Sequence, residues 1–145
     1  VDECARTNDP AIVAAGDCTA QQMSDGSLLR LESVQNAVEQ GKSAAAALMG
    51  QSRPFTDTPW FWSDQYDVKL QMAGLFEGYD DAVVRGQLSA RNASVFYYRK
   101  DQLIRVDSLN RPVDHMAARK LLDKGISPSR EQVADETVQL VLLAR

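Results

Sequence analysis

Residues 93–109 read ASVFYYRKDQLIRVDSL, and this stretch decides the fold class. Two runs rich in β-branched and aromatic residues, 93–99 and 103–109, flank the polar pair Lys100-Asp101. Such runs are typical of β-strands, and a polar two-residue connection between them indicates a tight hairpin. The sequence therefore predicts two antiparallel strands joined at Lys100-Asp101.

More strands precede this hairpin and helices follow it. Apolar residues at positions 68, 70 and 72 alternate with polar ones, and residues 81–85 form a second extended run. Pro112 stands where a helix over 112–124 would begin, and Ser127-Pro128 would open another short helix. Successive strands followed by helices predict an α+β domain, an antiparallel sheet of four or five strands with helices on one face.

The first fifty residues have a different pattern. Residues 11–15 predict a short buried strand ending at Gly16-Asp17, and a polar loop follows. Apolar residues at helical spacing then predict a helix that begins after Ser33 as N-cap and ends before Gly50. We therefore expect a strand, a loop and a helix in residues 1–50, and the sheet domain in residues 51–145.

Composition excludes several classes of protein. The chain has 145 residues, with 44% hydrophobic and 25% charged, which is ordinary for one globular domain. No apolar run is long enough to span a membrane, and the net charge of −4 argues against a dedicated nucleic-acid binder. One histidine and two cysteines are too few ligands for an ordinary zinc site, so no metal ligand is predicted.

Three ordered motifs carry a family resemblance. Residues 7–18 read TNDPAIVAAGDC, residues 30–37 read RLESVQNA, and residues 59–66 read PWFWSDQY. In this order and spacing they resemble the carboxy-terminal part of the FAD-dependent ferredoxin reductases that use NADH. The resemblance implies that residues 1–50 are the end of an FAD-binding domain and that residues 51–145 are the reductase C-terminal domain.

The resemblance also implies a function for the parent protein. It would be an enzyme that transfers electrons from NADH through FAD to a 2Fe-2S ferredoxin of an oxygenase system. No two glycines in this chain are two residues apart, so a Gly-x-Gly-x-x-Gly dinucleotide-binding fingerprint is not possible here. Both fingerprints of the family would lie upstream of Val1. We therefore predict that this chain alone is inactive and contains no catalytic residue.

Three cofactor-binding residues follow from the resemblance. Asp17 resembles the ligand of the FAD ribityl chain, and Val34 resembles the residue whose backbone N–H faces the pyrimidine edge of the flavin. Trp62 is expected near the flavin and the approach of nicotinamide or ferredoxin. Each has a plainer interpretation: a turn for Asp17, helix capping for Ser33-Val34 and core packing for Trp62.

A second function class stays open, a non-catalytic α+β module for docking or self-association that binds no cofactor. Residues 99–124 hold seven Lys/Arg against four Asp/Glu, which indicates either a solvated face or a docking patch for an acidic ferredoxin. His115 is expected at the surface, and Cys18 in a buried position. The two cysteines are expected as free thiols, which suggests a cytoplasmic protein.

Overall fold

The structure is a computed structural model that describes residues 1–23, 25–76 and 78–144. It divides the chain into two compact units, Val1–Pro59 and Trp60–Arg145. Within the described ranges, no helix combines the length and the apolar character needed to cross a membrane.

The first unit is built around one long helix. Two short strands, β1 (Gln21–Gln22) and β2 (Leu28–Leu29), pair antiparallel ahead of helix α1 (Val34–Leu48). The Ser33 side chain accepts a hydrogen bond from the Asn36 backbone N–H at 3.2 Å, and Gly50 follows the helix with a positive φ of 71°. Both predicted ends of the helix are therefore confirmed, since each depends on a local capping interaction.

The strand predicted over residues 11–15 is wrong. Val13 forms one isolated antiparallel bridge with Arg6, and Ile12 is 53% exposed. The backbone groups here are satisfied by local turns: Asp9 Oδ1 accepts from the Ala11 N–H at 2.9 Å, and the Ile12 N–H donates to the Asp9 carbonyl oxygen. Side chains that form hydrogen bonds with nearby backbone groups compete with strand pairing, so no strand forms over these residues.

The second unit contains the predicted antiparallel sheet, with five strands in the order β3-β4-β7-β6-β5. The hairpin turn at Lys100 and Asp101 is confirmed, and both residues have positive φ, as a type I′ turn requires. The strands are β3 (Trp60–Gln65), β4 (Val68–Gly74), β5 (Asp81–Gln87), β6 (Asn92–Arg99) and β7 (Gln102–Leu109).

Helices cover one face of this sheet, and the α+β class is confirmed. A 3₁₀ turn (Leu88–Ala90) lies between β5 and β6, and helices α2 (Pro112–Asp123), α3 (Arg130–Ala134) and α4 (Leu140–Leu143) follow β7. Alternate side chains of the central strands meet these helices in one apolar core. That core comprises Phe96, Tyr98, Leu103, Val106, Ala117, Ala118, Leu121, Val133, Leu140 and Ala144.

Candidate functional site

The loop that carries Asp17 is held against helix α1 by buried polar contacts. The Gly16 backbone N–H donates to Gln40 Oε1 at 2.8 Å, and the Thr19 hydroxyl donates to the same oxygen at 2.7 Å. Gly16 has φ +85°, and a β-carbon there would lie 3.4 Å from that of Ala37. A glycine therefore lets the loop pack closely on the helix in a backbone conformation that other residues rarely adopt.

Asp17 itself faces outward from this loop. Its side chain is exposed, and its carboxylate forms no hydrogen bond or ion pair within the part of the chain that the structure describes. An exposed carboxylate beside a close-packed glycine turn can accept hydrogen bonds from the hydroxyl groups of a ligand. Gln40 and Thr19, which hold the loop, were not identified from the sequence. Polar residues in a helix or a loop are usually exposed, and no local pattern indicates that these two are buried.

Val34 is the first residue of α1, in the same unit. Its side chain is 58% exposed, and its backbone N–H belongs to the first helical turn, where the helix supplies no carbonyl partner. The positive end of the helix dipole lies at this position. The arrangement can stabilise a negatively charged group placed against the N-terminus of α1. In the same turn, the backbone N–H of Asn36 already donates a hydrogen bond to the Ser33 hydroxyl.

Trp62 lies in the second unit, on strand β3. Its ring stacks on that of Trp60, with centroids 5.4 Å apart and an interplanar angle of 30°. Because residues two apart in a strand share a face, the stacking confirms that Trp60 and Trp62 point to the same side of the sheet. Both rings are half-buried, so each packs with one part of its surface and presents the rest to solvent.

His115 departs from its prediction. It is 3% exposed rather than at the surface, and its ring meets the Trp60 ring edge-on at 5.9 Å. Neither ring nitrogen has a hydrogen-bond partner among the described residues. Burial, with a smaller contribution from the positive charge of Arg119, lowers the pKa of His115 to about 4. The imidazole is therefore neutral at physiological pH and acts as packing surface for Trp60.

The basic stretch 99–124 carries less free charge than its composition indicates. Arg105 pairs with Asp107 at 2.7 Å, and Arg111 pairs with Asp114 at 2.6 Å and with Glu136 at 2.7 Å. Lys100 and Lys120 are exposed. Asp107 and Asp114 already count in the excess of cations over anions in this stretch, so among these partners only Glu136, which lies outside it, lowers the net positive charge that an acidic partner would meet.

A cavity of about 500 Å³ lies in the second unit, between the start of α2 and the segment around α4. Its charged lining groups neutralise one another, since Arg85 and Arg111 both contact Asp114. None of the three predicted site residues lines it. In the described ranges, no group of three or more His, Cys, Asp or Glu side chains could hold a metal ion.

Both cysteines are free thiols, as predicted. Cys4 is the buried one, and Cys18 is exposed, so the buried position expected for Cys18 is wrong. The Cys4 sulfur lies 3.6 Å from the Ser52 hydroxyl.

Comparison with known proteins gives a consistent result. A sequence family described as reductase C-terminal matches residues 60–144. Rhodocoxin reductase from Rhodococcus erythropolis is 48% identical over 143 residues, which cover 98% of this chain and 34% of that protein. Putidaredoxin reductase CamA from Pseudomonas putida is 41% identical over 142 residues, covering 97% of this chain and 33% of its own length.

Solved structures show the same similarity. The crystal structure of the ferredoxin reductase for the CYP199A2 system from Rhodopseudomonas palustris has a TM-score of 0.93 at 43% identity, covering 100% of this chain and 36% of that one. The covalent putidaredoxin reductase–putidaredoxin complex has a TM-score of 0.90 at 39% identity, and the match covers 99% of this chain and 34% of that one. The chain thus spans about a third of the length of the relatives it matches.

Proposed function

The chain belongs to the reductase C-terminal family, and we propose that it is the last third of a flavoprotein that transfers electrons from NADH through FAD to a 2Fe-2S ferredoxin. One observation carries the proposal. The similarity to reductases extends over both units, since 97–98% of the chain aligns with rhodocoxin reductase and putidaredoxin reductase. A domain shared for its fold alone would not require the first unit, with its Asp17 loop and helix α1, to match as well.

Residues 1–50 are, in this proposal, the end of an FAD-binding domain, and residues 51–145 form the C-terminal domain. The first unit fits the cofactor in two respects. Asp17 offers an exposed carboxylate to the ribityl hydroxyls, on a loop that Gly16 holds close to α1. Val34 offers a backbone N–H at a helix N-terminus, which suits a flavin edge that gains negative charge.

Flavin, when bound, supplies the chemistry of accepting two electrons from a nicotinamide and releasing them singly. The residues of this chain do not take part in bond making. Asp17 binds and orients the cofactor, and the dipole of α1 stabilises negative charge near Val34, which favours the reduced state. Trp62 is proposed to lie near the flavin and the approach of nicotinamide or ferredoxin, as the family resemblance implies.

The partner is proposed to be a ferredoxin of an oxygenase system. Two similar structures support this proposal, one a ferredoxin reductase for the CYP199A2 system and the other putidaredoxin reductase in a covalent complex with putidaredoxin. The exposed cations Lys100 and Lys120 would steer an acidic ferredoxin during encounter more than they hold it. A cytoplasmic location is proposed as well, because the two cysteines Cys4 and Cys18 are free.

A non-catalytic docking or self-association module is the second candidate. An exposed apolar stripe on the first unit favours it, since Val34, Val38 and Leu48 lie along α1 with their side chains exposed. In the reductase this stripe would be covered by the preceding part of the FAD-binding domain. The two functions differ in one easily measured property, because only the reductase retains a flavin and is yellow.

The test uses the flavoprotein that contains this chain. We expect purified protein to hold FAD and to reduce a 2Fe-2S ferredoxin when NADH is added. Asp17→Ala should weaken FAD binding about tenfold to a hundredfold, because a hydrogen bond to a charged group contributes about 1.5–3 kcal/mol. Asp25→Ala is the matched control, an exposed aspartate of the same unit. A colourless protein, or equal FAD affinity in both variants, would contradict the proposal.

A further inference from the structure

Within the described part of the second unit, the Trp60 ring contacts side chains of strand β3 and helix α2. Trp62 stacks on it at 5.4 Å, His115 meets it edge-on at 5.9 Å, and the guanidinium carbon of Arg119 lies 4.5 Å from its centroid. Arg119 and His115 are four residues apart on α2 and therefore share one face of that helix. Trp60 thus connects helix α2 to Trp62.

The backbone alone does not determine how these rings lie. Strand β3 is the outermost strand of the five-stranded sheet and is paired with β4 on one side only. A tryptophan on an outer strand has strand neighbours on one side, so its ring orientation depends on other contacts. The Trp62 ring contacts the rings of Trp60 and Phe61, with centroids at 5.4 and 6.5 Å.

Arg119 supplies the directional contact to Trp60. A guanidinium within about 6 Å of an indole centroid is attracted by the negative face of the ring. His115, being neutral and buried, adds apolar surface beside it without repelling the guanidinium. His115 therefore contacts the Trp60 ring by van der Waals packing, and Arg119 contacts it by a cation–π interaction. Only the interaction with Arg119 requires a charged side chain.

We propose that Arg119 is a positioning residue for Trp62, acting through the Trp60 ring. Its cation fixes the plane of Trp60, and the stacking of Trp60 on Trp62 transmits that orientation. The relevance of this orientation to electron transfer rests on the proposed function, in which Trp62 lies near the flavin. The positioning itself is a property of the second unit and can be tested without any cofactor.

The chain offers a direct optical readout, because Trp60 and Trp62 are its two tryptophans. Stacked indoles couple their transitions and give a pair of opposite circular-dichroism bands, which report ring geometry rather than stability. In the 145-residue chain, Arg119→Met should abolish this band pair and shift the tryptophan emission to longer wavelength. Arg119→Lys should restore most of the band pair, because it keeps a cation at the same position.

Lys120→Met is the matched control, since it removes an exposed cation from the adjacent helix position. The band pair should be unchanged in this variant. An unaltered band pair in Arg119→Met, or an equal loss in Lys120→Met, would overturn the proposal. Should Arg119→Met fail to fold, Arg119→Gln carries the same test, and failure of both to fold would show a general structural role and overturn the proposal as well.

The flavoprotein separates this inference from the proposed function. We expect Arg119→Met to slow ferredoxin reduction while flavin reduction by NADH stays unchanged, with rescue by Arg119→Lys. If the band pair is lost but ferredoxin reduction is unaffected, Arg119 positions the two rings and the proposed place of Trp62 near the flavin is wrong. If the flavoprotein binds no FAD at all, the proposed function fails and the optical result on the rings still stands.

Discussion

Arg85 donates a hydrogen bond from Nη1 to the carbonyl oxygen of Val133 at 2.9 Å, across 48 residues of chain. The same guanidinium donates to the carbonyl oxygens of Asp135, Glu136 and Val138, and its Nε lies 3.4 Å from Asp114. One buried arginine of strand β5 thus satisfies one carbonyl within α3, that of Val133, and three carbonyls of the segment after α3. The C-terminal segment therefore depends on a charge placed in the sheet.

Arg85→Met should be severely destabilising. It removes the donors of four carbonyls and one partner of the buried Asp114 carboxylate, a loss of about 3–5 kcal/mol in the free energy of unfolding. Urea unfolding of the chain measures it. Arg91→Met is the control, because the pair of Arg91 with Asp67 is exposed and should contribute less than about 1 kcal/mol. Equal losses in the two variants would contradict this account.

His115 should make the chain sensitive to acid. Its pKa is lowered from 6.5 to about 4 in the folded state, so the unfolded state binds more protons between these values. The free energy of unfolding is therefore unaffected by His115 above pH 6.5. As the pH falls from 6.5 toward 4, protonation of the unfolded state lowers the free energy of unfolding by up to about 3 kcal/mol. The measurement is urea unfolding at several pH values across this window.

His115→Leu provides the control for that experiment. Leucine cannot be protonated, and the imidazole nitrogens have no partners to lose among the described residues. The variant should lose less stability than the wild type as the pH falls, and the difference isolates His115 from the carboxylates. Parallel pH profiles for the two proteins would show that His115 is protonated in the folded state without cost.

The isolated chain should bind FAD weakly. In the proposed function, Asp17 and the Val34 N–H supply two contacts among the many that a dinucleotide needs, and the resemblance implies that the pyrophosphate and adenosine sites are formed by residues outside this chain. We expect no binding tighter than the micromolar range, about −8 kcal/mol. Fluorescence titration with FAD checks this. Nanomolar binding would mean that the first unit holds the cofactor alone.

Trp62 should act at the transfer surface of the flavoprotein. Trp62→Phe keeps most of the apolar bulk and removes the indole N–H, so we expect a slower ferredoxin step with flavin reduction by NADH unchanged. Trp62→Ala should show a larger effect but would also cost about 3–5 kcal/mol if the side chain is core. Stopped-flow measurement of both steps, with a thermal melt, separates these cases.

A folded Trp62→Phe protein with both rates unchanged would assign Trp62 to packing. Trp60→Phe is a useful companion variant, because Trp60 contacts both Trp62 and Arg119. It should perturb the ferredoxin step through the orientation of Trp62 rather than by direct contact. An equal slowing of flavin reduction in either variant would indicate a general change in the site.

Features set by neighbouring residues could be predicted from the sequence. The ends of α1 at Ser33 and Gly50, and the hairpin at Lys100-Asp101, depend on interactions within a few residues, so composition and spacing indicate them. The antiparallel sheet with helices on one face followed from the same local patterns. The family resemblance was likewise visible, because its three motifs are continuous stretches of chain.

Features that depend on distant partners required the tertiary structure. Residues 11–15 have the composition of a strand, but a strand needs a neighbouring strand to pair with. Backbone groups of this segment form hydrogen bonds in local turns instead. His115 was predicted at the surface, and the sequence gives no indication that Arg85 is buried, since both side chains are polar. His115 is buried against Trp60, and Arg85 is held by Asp114 and the carbonyls of a remote segment.

The sequence by itself therefore determined the ends of α1, the hairpin at Lys100-Asp101, the antiparallel sheet followed by helices, and the family, since the patterns that indicate them lie in short continuous stretches of chain. The tertiary structure alone decided which polar side chains are buried and which rings Arg119 and His115 hold. The physical reason is that burial and side-chain pairing bring together residues far apart in the chain, as Trp60 and His115 or Arg85 and Val133 are, and a local pattern does not specify such a partner.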